Sequence, residues 1–133
     1  MVKTNNYLFV YGTLLSSDNE YAAFLKSNSV FYADGELNAR MYDIGEYPGA
    51  VQSIKKGEIV YGCILEMNDT SAVLPIVDEY EGYGPGQIQP YEFVRELVEI
   101  RTDAGDICCW TYLYNLSIRG LPQITSGKYI VIG

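Results

Sequence analysis

Hydrophobic and polar positions change period several times along the chain. "NYLFVYG", Asn6 to Gly12, is rich in aromatic and β-branched residues and predicts a buried first strand. After the loop "TLLSS", "SDNE" has the form of a capping box, with Ser17 as N-cap and Glu20 three residues on. Tyr21, Ala22, Phe24 and Leu25 supply that helix's apolar face, to about Asn28. "SVFYADGELNARMYDIG", Ser29 to Gly45, predicts one bent strand or a pair broken near Asp34-Gly35. "EYPGAVQS" reads as a turn about Pro48-Gly49, and "GEIVYGCILEM", Gly57 to Met67, as a strong strand.

A short helix follows "NDTS" and covers Leu74 to Glu81, with Pro75 separating or kinking its first turn. "GYGPGQIQP", Gly82 to Pro90, is a Gly/Pro-rich loop. "YEFVRELVEI", Tyr91 to Ile100, alternates like a half-solvated strand. It is expected to pair with "DICCWTYLYN", Asp106 to Asn115, through the turn "TDAG". The tail ends in a short apolar run that could close an edge. The sum is a single α+β domain over residues 1–133, built on a small mixed or barrel-like sheet of about six strands with two short helices.

On the wheel of the second helix one position stands out. With Leu74 at zero and roughly 100° per residue, Val77 falls at about 300°, Tyr80 at about 240° and Val73 at about 260°, forming one apolar arc. Glu81 falls at about 340°, inside that arc, whereas Glu79 falls at about 140° on the watery side and Asp78 at about 40° at the edge. A carboxylate turned inward is costly unless it is paired or neutralised. Either Glu81 frays outward or pairs with a cation at the core edge, or a cavity lies where the arc points.

Composition narrows the chemistry. Of 133 residues, 48 % are apolar and 20 % charged, enough for a packed core. No run approaches the ~18 apolar residues of a membrane span, and the N-terminus lacks a signal-peptide layout, so a cytoplasmic protein is expected. The net charge of −8 repels phosphate backbones and anionic membrane surfaces, which argues against nucleic acid and membrane as partners. Cys63, Cys108 and Cys109 have no CxxC spacing and read as small buried hydrophobes. There is no histidine, which removes Ser-His-Asp and Cys-His nucleophile systems and most zinc sites. Phosphate-loop and dinucleotide fingerprints are also absent, so neither a metal nor an organic cofactor is expected. Acid–base chemistry would fall to Asp, Glu, Tyr, Lys or Cys.

Two further features bear on a site. "YGTL", Tyr11 to Leu14, ends the first strand at a glycine, where successive backbone N–H groups can face an anion. The 13 tyrosines, most of them strand filler, supply apolar walls with polar tips.

Taken in order, "YLFVYGTLLSSDNEYAAFL", "YPGAV", "GEIVYGCILEM", "VDEYEGY", "YEFVRELVEI" and "CCWTYLY" resemble the gamma-glutamylcyclotransferase-like family across nearly the whole chain. The resemblance implies a small barrel with a central cavity and a small-molecule γ-glutamyl substrate, cleaved to 5-oxoproline and a free amine or amino acid. It implies Glu81 as the catalytic acid–base, and Tyr11, Gly12, Thr13 and Leu14 as the loop that holds the γ-glutamyl group. A tyrosine of a late strand lines such a site; Tyr112 is the best match, with Tyr114 one strand period away. Asp78 reads as a residue that caps or orients neighbouring backbone rather than reacts. Arg95 either pairs with a cavity carboxylate or lies outside. The rival reading is a binding module that holds a small carboxylated metabolite without turnover; a buried Glu81 argues against it, because an acid there adds nothing to anion binding. The leaving group and the oligomeric state are not legible from the residues.

Overall fold

The computed structural model describes residues 5–12 and 20–129. The elements run β1 (Tyr7–Val10), α1 (Glu20–Ser27), β2 (Ser29–Asp43), β3 (Pro48–Gln52), β4 (Ile59–Met67), α2 (Thr70–Glu81), β5 (Phe93–Thr102) and β6 (Gly105–Tyr114). The sheet order is β3-β2-β4-β1-β6-β5, and an additional β2–β5 pairing at Glu36 and Arg101 closes five of the strands into a barrel-like ring. β1 and β6 are parallel, Leu8 opposite Trp110, while the other pairs are antiparallel, so the sheet is mixed.

Strand alternation sorts the apolar side chains into two clusters. Phe9, Leu37, Met41, Val60, Ile64 and Ile100 fill the inside of the ring. Leu8 and Val10, one step out of phase on β1, pack instead with Leu25 of α1 and Val73 and Val77 of α2. A five-stranded ring is narrow, and the first of these clusters fills it, so no open lumen is left.

Two glycines let that ring close. Gly35 and Gly62 face each other across β2 and β4. A Cβ on Gly62 would stand 2.3 Å from the Val10 carbonyl oxygen and 2.8 Å from the Phe9 ring, and one on Gly35 would stand 2.6 Å from Ile100. Gly62→Ala is therefore expected to destabilise the protein by about 1–3 kcal/mol, since backbone cannot yield as a side chain would. A urea melt checks it: the midpoint falls while the slope is retained.

Several local expectations change. Pro48–Gln52 is strand β3, not a turn; it pairs with the last five residues of β2, Asp43 opposite Pro48. The turn lies just before it, where Ile44 N–H donates to the Tyr47 carbonyl at 3.0 Å. Proline is tolerated as the first residue of a strand. Gly49 is required in β3 because a Cβ would stand 2.9 Å from that of Tyr114. Helix α2 begins at Thr70 and runs unbroken through Pro75. Both Pro75 and Ser71, whose carbonyl the missing N–H would have bonded, are exposed, so the cost of the lost bond is lowered by access to solvent. β2 is one long strand with a bulge between Phe31 and Ala33 rather than a break at Asp34-Gly35.

The "TDAG" hairpin forms as expected, with Thr102 opposite Gly105. Pro122 to Ile124 lie along the end of β2, with Gln123 bridging Tyr42. Of the three free cysteines only Cys109 is buried; Cys63 is half-buried and Cys108 exposed, because successive strand residues face opposite sides. The Ser17 cap lies outside the described residues. No helix among the described residues is long and apolar enough to cross a membrane.

Candidate active site

Helix α2 ends where Gly82 takes the left-handed conformation, φ 72°, which glycine adopts without Cβ strain. Tyr83 N–H donates to the Asp78 carbonyl at 2.9 Å, and Gly82 N–H to that of Glu79 at 3.2 Å. This closes the last turn in the Schellman pattern and holds Glu81 as its final residue. Glu79 is exposed, whereas Asp78 and Glu81 are half-buried, in the order the wheel predicts.

A cavity of about 230 Å³ opens beside that turn. Its walls are β1 from Leu8 to Val10 with Tyr11 and Gly12 just beyond it, Tyr47 and Pro48 where β3 begins, and Tyr80 and Glu81 at the end of α2. Glu92 just ahead of β5, Phe93 at its start and Tyr112 on β6 complete it. Of the residues singled out from sequence, Tyr11, Gly12, Glu81 and Tyr112 thus meet in one cavity. Thr13 and Leu14 lie outside the described residues. Tyr114 is not part of the lining; its ring packs edge-on against Phe93, 5.6 Å between centroids.

The hydroxyls on these walls are largely engaged. Tyr11 donates to the Tyr112 carbonyl at 2.6 Å and accepts from Ala50 N–H at 3.1 Å, tying β1, β6 and β3 together. Burial, then the charge of Glu81, pushes its pKa far up, so the phenol keeps its proton. Tyr112 donates to Asp78 Oδ1 at 2.5 Å. Arg95 donates to the same carboxylate from Nε at 2.7 Å and from its terminal nitrogen at 3.1 Å. The guanidinium also lies 4.6 Å from the Trp110 ring centroid and 5.7 Å from that of Tyr83. Arg95 therefore pairs with Asp78, leaving Glu81 without an ion-pair partner among the described residues. The side chain of Asp78 orients Arg95 and Tyr112; only its backbone carbonyl serves the helix end.

Burial, followed by the negative charges of Glu92 and Asp78, pushes the Glu81 carboxyl up from 4.5 to about 8. The negative end of the helix dipole acts in the same direction. Neither Lys nor Arg is among the described residues that line the cavity. No group of three or more His, Cys, Asp or Glu among the described residues could hold a metal ion.

Sequence reasoning missed Glu92. It lies just ahead of β5, where strand alternation has not yet begun to fix its direction. Only the fold brings Tyr47, 45 residues away, to donate its hydroxyl to Glu92 Oε2.

Residues 8–131 match the family described as gamma-glutamyl cyclotransferase, AIG2-like. The chain belongs to this family. Among family relatives, the gamma-glutamylcyclotransferase family protein ytfP of Citrobacter rodentium is 27 % identical over 124 residues, covering 92 % of this chain and 94 % of its own. The solution structure of ytfP from Escherichia coli superposes with a TM-score of 0.64 at 28 % identity, over 93 % of this chain and 96 % of its own. An AIG2-like protein from Mus musculus reaches a TM-score of 0.69 at 22 % identity, over 94 % and 88 % of the two chains, and shares the fold.

Proposed function

We propose that this member of the gamma-glutamyl cyclotransferase, AIG2-like family cleaves γ-glutamyl amides to 5-oxoproline and a free amine, with Glu81 as general acid–base. One observation carries the reading: the Glu81 carboxyl stands in a small cavity, unpaired with any cation among the described residues and raised to about 8. A base near the working pH is the most effective proton carrier.

The nucleophile is the substrate's own α-amine, so no enzyme Ser, Cys or metal is needed. Glu81 accepts a proton from the α-ammonium. The freed amine attacks the γ-carbonyl carbon and closes a five-membered ring. Glu81 then gives the proton to the leaving nitrogen as its bond to that carbon breaks. The second proton shed by the ring nitrogen follows the same route, so the amine departs as an ammonium ion and Glu81 ends ionised. Well-oriented intramolecular attack reaches effective molarities on the order of 10⁵–10⁸ M, so folding the substrate supplies much of the rate. Backbone N–H groups at the Tyr11–Gly12 end of β1 are the donors for the α-carboxylate or the γ-carbonyl oxygen. The rings of Tyr11 and Tyr112 form the walls, since both hydroxyls are already engaged.

The test is 5-oxoproline release from a panel of γ-glutamyl amino acids and γ-glutamyl amines. Release from at least one is expected, with an activity limb rising toward pH 8. No release from any of them by folded protein would leave a binding module for a small carboxylated metabolite.

A further inference from the structure

Among the described residues, the cavity has two carboxyl groups on its walls and no cationic side chain. One belongs to Glu81. The other, Glu92, is anchored from two sides. Its backbone carbonyl accepts from Asn115 N–H at 2.7 Å, and its carboxylate accepts the Tyr47 hydroxyl. Tyr47 is itself fixed against Phe93, 6.0 Å between ring centroids. Burial and then the hydrogen bond to Glu92 push the Tyr47 pKa well up, so the phenol remains a donor. Tyr47 is also held in place by the β2–β3 turn, through its carbonyl's bond with Ile44 N–H at 3.0 Å.

Arg95 on β5 does not cancel this charge, because it is bonded to Asp78 and is not part of the cavity lining. Glu81 does not hold a lasting charge either, since the free protein keeps it largely protonated below about pH 8. A carboxylate with an aromatic wall beside it suits a cationic nitrogen. Every γ-glutamyl compound has one, the α-ammonium, and the reaction requires that nitrogen within reach of Glu81.

We propose that Glu92, held by Tyr47, is the counter-charge that binds the substrate's α-ammonium and presents it to Glu81. This rests on reading the cavity as a γ-glutamyl site. It divides the work between two acids: Glu92 binds the nitrogen throughout, and Glu81 exchanges its proton. The Tyr11–Gly12 end of β1 is left for the anionic groups of the substrate.

The test needs no turnover. L-Glutamate and glutarate carry the same two carboxylates at the same spacing, and only glutamate has the α-ammonium. Their dissociation constants are measured by calorimetry at pH 7 and 0.15 M salt. The intact protein is expected to prefer glutamate by roughly 10- to 100-fold, as one charge-assisted contact allows. Glu92→Gln should remove most of that preference and Tyr47→Phe part of it. Glu81→Gln and the remote, exposed Glu99→Gln should keep it. A preference that survives in folded Glu92→Gln, or that disappears in Glu81→Gln instead, overturns the assignment, as does its absence from the intact protein. A glutamate preference that depends on Glu92, in a protein that releases no 5-oxoproline, would sustain this subsite and remove the cyclotransferase reading. Release from a protein with no such dependence would do the reverse.

Discussion

Glu81→Gln is expected to lower 5-oxoproline release by roughly 10²–10⁴-fold, the usual contribution of a positioned acid–base. Glutamine keeps the shape and a hydrogen-bonding amide but cannot carry a proton between the two nitrogens. Loss should fall on kcat more than on KM, because proton transfer belongs to the transition state. The same substitution has a thermodynamic signature of opposite sign. The folded protein holds the Glu81 proton up to about pH 8, while the unfolded chain releases it near the usual 4.5. Between those values the folded state binds more protons, so rising pH favours unfolding. The contribution from Glu81 is fully present below about pH 4.5 and is lost as pH rises through about 8. Glu81→Gln should therefore melt close to wild type at pH 5 and above it at pH 9, by about 1–3 kcal/mol once the open cavity's water is allowed for. Thermal melts at the two pH values, run beside the 5-oxoproline assay, separate the outcomes. Release within threefold of wild type would show that another group moves the proton.

The second large effect concerns Asp78. Its carboxylate accepts two hydrogen bonds from Arg95 and one from Tyr112. Asp78→Ala leaves the guanidinium held between Trp110 and Tyr83 with no counter-ion, and Tyr112 with no acceptor. Breaking a buried pair costs about 3–5 kcal/mol. The side chains here are 19 % and 16 % exposed, so about 2–3 kcal/mol is expected. Removing Arg95 as well, as Asp78→Ala with Arg95→Met, should recover part of the loss, since no charge is then stranded. Activity should fall in both variants, because Tyr112 is a cavity wall and Asp78 lies one turn before Glu81 on the same helix. Equilibrium unfolding in urea reads the stability. A single-variant loss below about 0.5 kcal/mol would mean the pair is screened by water and positions nothing.

Much of this was legible in the residues. The strands, the two helices and the inward set of Glu81 follow from local periodicity, which reflects the fixed geometry of helix and strand. Gly82 as the helix stop follows from its freedom to take positive φ. The errors have local causes. A Pro-Gly pair reads as a turn until a partner strand is known, and β3 exists because the end of β2 offers it a ladder. Pro75 reads as a break until its freed carbonyl partner proves to face water.

By itself the sequence determined which side chains could do acid–base work, that no histidine shares it, and that one acid of α2 points off the watery face. Only the tertiary structure decided which groups meet. It spent Arg95 on Asp78, chose Tyr112 over Tyr114, and brought Glu92 and Tyr47 to the wall near Glu81. The physical reason is that periodicity is set by neighbours a few residues away, whereas the charge balance of a cavity is set by strands that closure brings together from across the chain.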